Sequence, residues 1–405
     1  MSSGGPRREL WPATLVYDGL GSPRRDAAAV VQVAPEPGRV VAIGPASELR
    51  AAYPGATERP LVGVLAPAAV NAHTHLDLSD LPLTPGPYGA FIRAAIAHAR
   101  AGGRGLAAAE RGIRALKAAG VATVGDVVTD EAVLVRLLED PDLSGVAYWE
   151  VLGPDPAEAE ARFAEAVAVV ERNRPRERSG GVRVGLSPHT PHTVSAPLLQ
   201  RLAGYAAARR LPLQIHVAED PGEAELHARG SGPLREAMGP LLAAFHPSGT
   251  TPVRYLEALG VLEARPTLVH AIHVDDDDVR RLQHAGCAVV HCPRSNALLE
   301  CGTFPWARFA RFGVTVGLGT DSLGSSPSLS PVDEFGAARA VHGAAADPAQ
   351  LVWAAVKGGH RALGGAAPRI VRGSEAALLR AWPEPVPWPP GAVAGTVGDV
   401  PPAPA

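Results

Sequence analysis

Histidines and carboxylates recur in this sequence where short apolar segments end. His73 and His75 follow the first such segment, His216 lies in a later one, and Asp321 follows the last. Residues i and i+2 of a strand project to the same side, so His73 and His75 can bind one ion together. His216 and Asp321 would complete a nitrogen and oxygen ligand set for a borderline cation such as Zn²⁺. Such an ion lowers the pKa of a bound water and makes it a nucleophile.

Two further residues could move protons at this site. Glu219 comes three residues after His216, just past the end of its segment, and could shuttle a proton. His270 could hydrogen-bond the activated water. His273 is a weaker candidate, since residues three apart on a strand face opposite sides. A structural zinc is disfavoured, because such sites are local and cysteine-rich, whereas these ligands extend from position 73 to position 321.

The elements that position these residues alternate between compact apolar segments and alanine-rich segments of helical composition. Continuous apolar segments are typical of parallel strands buried on both faces, and eight of them predict a (β/α)8 barrel whose strand ends carry the active site. A doubly wound open sheet is the alternative, weakened by the lack of a Gly-x-Gly-x-x-Gly turn after the first strand. The eight segments are Val64–Asn71, Val121–Val127, Val146–Val151, Val182–Ser187, Pro212–Val217, Thr267–Val274, Cys287–Cys292 and Val314–Gly319.

The regions on either side of the barrel differ from it in composition. Residues 8–65 contain short β segments separated by turn signals, which predict the first part of a small β-sandwich beside a barrel at 66–365. Residues 230–252 resemble an inserted lid. We expect residues 366–405 to return to the small domain or to be partly disordered, since Pro383–Pro390 is too proline-rich for a helix.

Composition narrows the functional classes. The chain has 405 residues and a net charge of −3, without the basic clusters of proteins that bind nucleic acids or membrane surfaces. Its three cysteines cannot form a disulfide framework, and the N-terminus lacks the apolar core of a signal peptide. We therefore expect a cytoplasmic protein with a small-molecule substrate and no nucleic-acid or membrane partner, with a homodimer as a candidate assembly.

Six motifs in a fixed order resemble the amidohydrolase superfamily, in the cytosine-deaminase-like branch that contains nucleoside deaminases and chlorohydrolases. A weaker match, Gly38–Pro45, is typical of the sandwich that flanks such barrels. The resemblance implies a metal-dependent barrel enzyme that hydrolyses carbon–nitrogen bonds in cyclic amidines. The six motifs are Val70–Leu76, Ser187–Pro191, Ile215–Glu219, Leu268–His273, His291–Asn296 and Gly317–Ser322.

The resemblance also implies a role for each site residue. It implies one divalent ion per subunit, with Zn²⁺ expected first and Fe²⁺ or Mn²⁺ as alternatives. A binuclear site would need a carboxylated lysine at the fourth strand, where this chain has Ser187-Pro188-His189; its only lysines are Lys117 and Lys357. Glu219 and His270 would transfer protons and orient the water, which Asp321 deprotonates. The implied metal ligands are His73, His75, His216 and Asp321, and His189 is implied to touch the substrate.

Within the branch, three stretches look most like the aminodeoxyfutalosine deaminases of menaquinone biosynthesis, which deaminate the adenine ring of a nucleoside that carries a benzoate. These stretches are His73–Ser79, Tyr148–Gly153 and Thr320–Ser330. Two residues depart from that group: Asp77 stands where it often has Glu, and His192 where the branch often has Tyr.

Several alternatives stay open at this stage. Deamination of S-adenosylhomocysteine, methylthioadenosine or another nucleobase, or a chlorohydrolase reaction, would share the metal machinery. A non-catalytic scaffold is disfavoured by the intact ligand set. For substrate binding, Glu150 is evenly balanced between ligand contact and a structural hydrogen bond, and Arg294 could pair with a substrate carboxylate or be merely solvated.

Overall fold

A computed structural model describes residues 7–34 and 38–388 of the chain. Two groups of strands follow one another in the sequence, a short N-terminal group and a longer parallel group. The strands are β1 (Arg8–Val16), β2 (Arg24–Gln32), β3 (Arg39–Pro45), β4 (Thr57–Glu58), β5 (Val62–Ala66), β6 (Asn71–Thr74), β7 (Thr123–Val128), β8 (Ser144–Val151), β9 (Val182–Pro188), β10 (Gln214–Val217), β11 (Thr267–His270), β12 (Ala288–His291), β13 (Thr315–Leu318) and β14 (Arg380–Ala381).

Strands β6 to β13 form the predicted barrel. They pair in parallel as two runs of four, β6 to β9 and β10 to β13. A parallel bridge between Leu186 and Leu213 joins the two runs on one side, and a bridge between Thr74 and Asp321 joins them on the other. The eight strands therefore close into a ring, which excludes the open-sheet alternative and places all their carboxyl ends at one mouth.

The first predicted strand, Val64–Asn71, is divided between two domains. Its front part belongs to β5, which pairs with β1 in the small domain, and only Asn71 belongs to the barrel strand β6. Proline 67 lies between the two strands, and a proline cannot donate a hydrogen bond to a sheet. The prediction of a single strand over Val64–Asn71 is therefore wrong.

The helices surround the barrel and, for the most part, agree with the helical segments expected from composition. The expected lid region contains α8, a short 3₁₀ turn and the start of α9. The helices are α1 (Ala46–Ala52), α2 (Tyr88–Arg100), α3 (Leu106–Ala118), α4 (Glu131–Glu139), α5 (Ala159–Asn173), α6 (Ala196–Arg209), α7 (Pro221–Arg229), α8 (Pro233–Met238), α9 (Pro252–Ala258), α10 (Asp276–Ala285), α11 (Pro293–Leu298), α12 (Trp306–Phe312), α13 (Pro331–His342), α14 (Pro348–Trp353) and α15 (Gly359–Ala362).

The small domain is built on one mixed sheet of six strands, in which β14 pairs with β5. Helix α1 covers one face, and Ile370, Ala376 and Leu379 pack on the other. Within the described residues the small domain thus has a single sheet, where a sandwich of two was expected. Of the proline-rich stretch, residues 389 and 390 lie outside the described residues, as does the rest of the tail to residue 405. Among the described helices, none combines the length and the apolar character that crossing a bilayer requires.

Candidate active site

Three imidazoles meet at the carboxyl ends of β6 and β10. His73 belongs to β6, His75 directly follows it, and His216 belongs to β10. The Nε2 atoms of His75 and His216 lie 3.2 Å apart, and ligand atoms of all three residues lie within 4.8 Å of one another. All three side chains are buried. The i, i+2 spacing of the two histidines at the end of β6 therefore does bring both rings to one point.

Asp321 completes this group from the other side of the barrel closure. Its Oδ1 atom lies 3.6 Å from Nε2 of His73 and 3.6 Å from Nε2 of His75. Its Oδ2 atom accepts hydrogen bonds from the hydroxyls of Ser295, at 2.7 Å, and Ser325, at 2.8 Å. One carboxylate oxygen is therefore fixed by serines, while the other faces the imidazoles.

The four side chains fit a divalent metal ion. Nε2 of His73 is buried and has no hydrogen-bond partner in the described part of the chain. Ligand atoms about 2.0–2.1 Å from a tetrahedral Zn²⁺ lie roughly 3.3 Å from one another, which is close to the 3.2 and 3.6 Å separations found. Burial lowers the pKa of His75 and of His216 well below the usual value, so both imidazoles are neutral and available as ligands.

Second contacts fix the orientation of two ligand rings. Nδ1 of His73 lies 2.7 Å from Oε1 of Gln214, and Nδ1 of His216 lies 2.9 Å from the carbonyl oxygen of His189. In each ring Nδ1 is the donor, which turns Nε2 towards the cluster. Such partners are typical of histidines that bind metals. Gln214 escaped the sequence analysis, although a polar residue two positions before His216 in a buried strand was a usable signal.

Glu219 lies beside the ligand group with its side chain buried. Its Oε1 atom is 3.4 Å from Nε2 of His270, and one ligand atom from each of Glu219, His270 and Asp321 lies within 4.8 Å of the other two. Burial, then the negative charges of Asp321 and Glu223, raise the pKa of Glu219 well above its usual value. The raised pKa favours the protonated form of this carboxyl group, which can donate a proton.

Asp321 has the opposite electrostatic setting. Burial alone would raise its pKa, but His73 and His75 outweigh burial and lower the pKa well below the usual value. Two carboxyl groups at one site thus have pKa values moved in opposite directions, which is the pattern of an acid and base pair.

His270 is held between these two carboxyl groups. Its Nδ1 atom lies 2.8 Å from the side-chain amide of Asn296, which leaves Nε2 to face Glu219. Its backbone has a φ of 70°, and Asp321 has a φ of 59°; non-glycine residues rarely adopt either value. Backbone strain of this kind commonly occurs at functional sites, where the surrounding structure enforces it.

The turn that carries Glu219 is fixed by another carboxylate. Glu223 accepts hydrogen bonds from the backbone N–H groups of Ala218 and Glu219, both at 2.8 Å. Ala218 has a φ of 50°, so the chain turns sharply between His216 and Glu219. Glu223 therefore acts as a positioning residue that the sequence analysis did not single out.

The residues expected to contact substrate lie at the same mouth, in different settings. His189 is half-buried, with Nδ1 2.8 Å from the hydroxyl of Thr193. Glu150 is nearly buried, and its Oε2 atom lies 3.6 Å from Nη1 of Arg104. Asp77 binds the same guanidinium through two hydrogen bonds, of 2.8 and 3.1 Å. Arg104 is therefore a residue of the mouth that the sequence analysis missed, and Asp77 holds it in place.

The structure corrects the expectation for Arg294. Its side chain is only 3% exposed and forms an ion pair with the buried carboxylate of Glu334 at 2.7 Å. The same guanidinium donates to the carbonyl oxygen of Ser328 at 2.9 Å. Arg294 therefore ties α11 to α13, and it is neither a solvated side chain nor free to bind a substrate carboxylate.

His192, the other departure from the related deaminases, belongs to a second group of buried aromatic rings. Its Nδ1 atom lies 4.0 Å from Oε2 of Glu223, and its ring packs against those of His227 and Phe245. His192 thus lies behind the turn that carries Glu219, outside the ligand group. Its influence on the reaction would be exerted through Glu223.

We expect replacement of His227 by Phe to reduce the acid sensitivity of the fold. Burial lowers the pKa of His227 to about 4. Because the folded pKa lies below the unfolded value, His227 stabilises the fold above pH 6.5, and this stabilisation is lost as the pH falls to 4. The loss amounts to about 3 kcal/mol at most. The free energy of unfolding of His227→Phe, measured in urea, should therefore fall less steeply between these pH values. The exposed His284→Phe should match the original chain. Equal slopes for all three proteins would contradict the assignment.

Comparisons with known proteins agree with this geometry. Residues 64–376 match the model of the amidohydrolase family, and residues 38–56 match an imidazolonepropionase-like composite domain of bacteria. An aminodeoxyfutalosine deaminase of Deinococcus radiodurans is 46% identical over 90% of this chain and 88% of its own length. A 5-methylthioadenosine/S-adenosylhomocysteine deaminase of Natronomonas pharaonis is 30% identical over 64% of this chain and 58% of its own length.

A solved structure shares the fold. The aminofutalosine deaminase of Helicobacter pylori, crystallised with methylthio-coformycin, superposes with a TM-score of 0.71 at 23% identity, covering 91% of this chain and 90% of its own. The chain therefore belongs to the amidohydrolase family. It is a hydrolase that acts on carbon–nitrogen bonds, as the motifs indicated, and its mouth can hold a divalent metal ion.

Proposed function

We propose that this enzyme removes the amino group of 6-aminodeoxyfutalosine by hydrolysis, as a step of menaquinone biosynthesis. The observation that carries the proposal is the 46% identity to an aminodeoxyfutalosine deaminase over most of both chains. The site supports the reaction class independently of this likeness, because it combines a glutamic acid with a raised pKa, an aspartate with a lowered pKa and imidazoles with lowered pKa values.

The ion would be held by His73, His75, His216 and Asp321, whose donor atoms are three imidazole nitrogens and one carboxylate oxygen. This donor set is typical of Zn²⁺. When bound, the ion supplies Lewis acidity that lowers the pKa of a coordinated water.

Three residues of the chain carry out the proton transfers. Glu219, whose raised pKa favours the protonated form, donates a proton to the ring nitrogen beside the carbon that bears the amino group. This protonation makes that carbon more electrophilic, and water adds to it while Asp321 accepts one proton from the water. His270, 3.4 Å from Glu219, holds the attacking oxygen by a hydrogen bond. Asp321 then passes its proton to the amino group and ammonia leaves. The proton of the added hydroxyl group returns to Glu219, so a carbonyl group remains on the ring.

Deamination of 5-methylthioadenosine or S-adenosylhomocysteine is the second candidate, favoured by the relative from Natronomonas pharaonis. Both reactions would use Glu219 as the acid and Asp321 as the base, so only the recognition of the rest of the nucleoside separates them. Asp77, Arg104 and Glu150 form a charged group at the mouth. Buried charges of this kind discriminate between substrates that do and do not offer them a hydroxyl or charged partner.

Ammonia release from competing nucleosides tests this proposal. Purified enzyme loaded with Zn²⁺ is assayed with aminodeoxyfutalosine, 5-methylthioadenosine, S-adenosylhomocysteine and adenosine. We expect kcat/KM for aminodeoxyfutalosine to exceed the others by more than about tenfold, a difference of about 1.4 kcal/mol in transition-state binding. A higher kcat/KM for methylthioadenosine or S-adenosylhomocysteine would instead assign the second candidate.

A further inference from the structure

A second cavity lies at the opposite end of the barrel from the mouth. Its volume is about 290 Å³, near the lower limit for cavities that bind small molecules. Its walls come from the starts of β9, β10, β11 and β12 and from α15. The amino ends of barrel strands usually serve stability and do not form active sites, so this cavity belongs to no part of the proposed reaction.

The charge of this cavity is entirely positive. Arg183, Arg210, Arg265 and Arg361 line it, and its described lining contains no Asp or Glu. This contrasts with the whole chain, which has a net charge of −3. Guanidinium groups placed around one cavity repel one another, and a multivalent anion between them would remove that repulsion.

Two of these arginines have an unusual backbone conformation. Arg210 and Arg265 end the turns that lead into β10 and β11, and both have a φ of 53°. At the corresponding turns before β7, β9, β12 and β13 the residue with positive φ is glycine, at positions 120, 180, 286 and 313. Glycine adopts this conformation without strain and arginine does not. Two adjacent turns thus contain a strained arginine whose side chain lines the cavity.

Two further observations indicate a ligand of polar character. The hydroxyl of Tyr148, a fully buried residue in the wall of the cavity, has no hydrogen-bond partner among the described residues. Arg183 is half-buried and anchored by one hydrogen bond of 2.6 Å from Nη2 to the carbonyl oxygen of Leu363. The site thus offers a fixed guanidinium and an unused hydroxyl beside the three more exposed arginines.

We propose that this cavity binds a phosphoryl anion, either inorganic phosphate or a small phosphate ester, through Arg183, Arg210, Arg265 and Arg361. Guanidinium groups bind phosphate oxygens in pairs, and a phosphoryl group also accepts hydrogen bonds from a hydroxyl such as that of Tyr148. The site is separate from the metal-binding mouth. The binding proposed here therefore does not depend on which nucleoside the enzyme deaminates.

The test is calorimetric titration of the full-length, metal-loaded enzyme with inorganic phosphate, against sodium chloride at equal ionic strength. We expect saturable binding with one site per chain and a rise in Tm that chloride does not reproduce. In Arg210→Gly/Arg265→Gly the affinity should fall by at least about tenfold, because two charge-assisted contacts are lost. This variant should fold well, since glycine suits both turns, and its Tm in chloride should equal or exceed that of the original chain.

A matched variant, Arg100→Ala/Arg114→Ala, removes two exposed arginines from α2 and α3 and so causes the same change in net charge. It should bind phosphate as the original chain does. The proposal is overturned if saturable binding is absent, if the glycine variant retains full affinity, or if both double variants lose affinity equally. Equal binding of citrate would overturn the assignment to a phosphoryl group.

Discussion

Replacement of Glu219 by Gln is expected to lower kcat by roughly 10²–10⁴-fold, the usual contribution of a positioned acid or base. Glutamine keeps the shape of the side chain but has no acidic proton to give to the substrate ring. Burial and the charges of Asp321 and Glu223 raise the pKa of Glu219 and so favour its protonated form, and an amide cannot replace that function. The measurement is kcat from ammonia release at saturating substrate.

Metal content separates this result from a damaged site. Glu219 is outside the group of three imidazoles, so Glu219→Gln should bind as much metal as the original chain. Glu225→Gln serves as the control, since Glu225 is an exposed residue on α7, the helix that follows Glu219. Full activity in Glu219→Gln would refute its role as the acid, and loss of both metal and activity would assign it to the ligand set instead.

The second large effect is expected from His216→Ala. Loss of a hydrogen-bond partner behind a metal ligand commonly costs about 10–100-fold in metal affinity or activity, and loss of the ligand itself should exceed that. The neighbouring His75, 3.2 Å away, would then lose the nitrogen that shares its ion. We expect this variant, purified without added metal, to contain little zinc by elemental analysis and to release no measurable ammonia.

Stability gives an independent measurement for the same variant. An ion that binds only the folded chain stabilises it by about 4 kcal/mol at a thousand times its Kd. Zinc should therefore raise the Tm of the original chain, after removal of metal with a chelator, and should leave the Tm of His216→Ala unchanged. The exposed His284→Ala should respond as the original chain does. An undiminished zinc response in His216→Ala would remove His216 from the ligand set.

Much of the fold follows from local patterns in the sequence. Eight apolar segments, each followed by polar residues, indicated the barrel and its mouth, because strands buried on both faces have few polar residues until they end. The prediction of one strand over the first segment is wrong because apolar character does not distinguish a strand of the small sheet from one of the barrel. Only the pairing of β5 with β1 settles that question, and pairing depends on distant parts of the chain.

The residues around the site were harder to predict than those in its motifs. Arg104 lies in a loop with no recognisable pattern, and its place is set by Asp77, which is distant in sequence. The sequence left open that Arg294 pairs with a substrate carboxylate. Its actual partner, the buried Glu334, is apparent only from the packing of α11 against α13. The spacing of residues along one strand indicates the direction in which their side chains point. A single sequence gives no comparable signal for ion pairs between loops and helices.

The bridge between Thr74 and Asp321 has a consequence for how the ring assembles. It joins the first barrel strand to the end of the last, so the chain must be nearly complete before the ring can shut. His73 and His75 stand on one side of this seam and Asp321 on the other. A cation bound by all three residues would join the first strand of the barrel to the end of the last strand. Hydrogen exchange at the seam and around His216 on β10 should therefore slow most when metal is added, while β8 and β12, which carry none of the four ligands, change little.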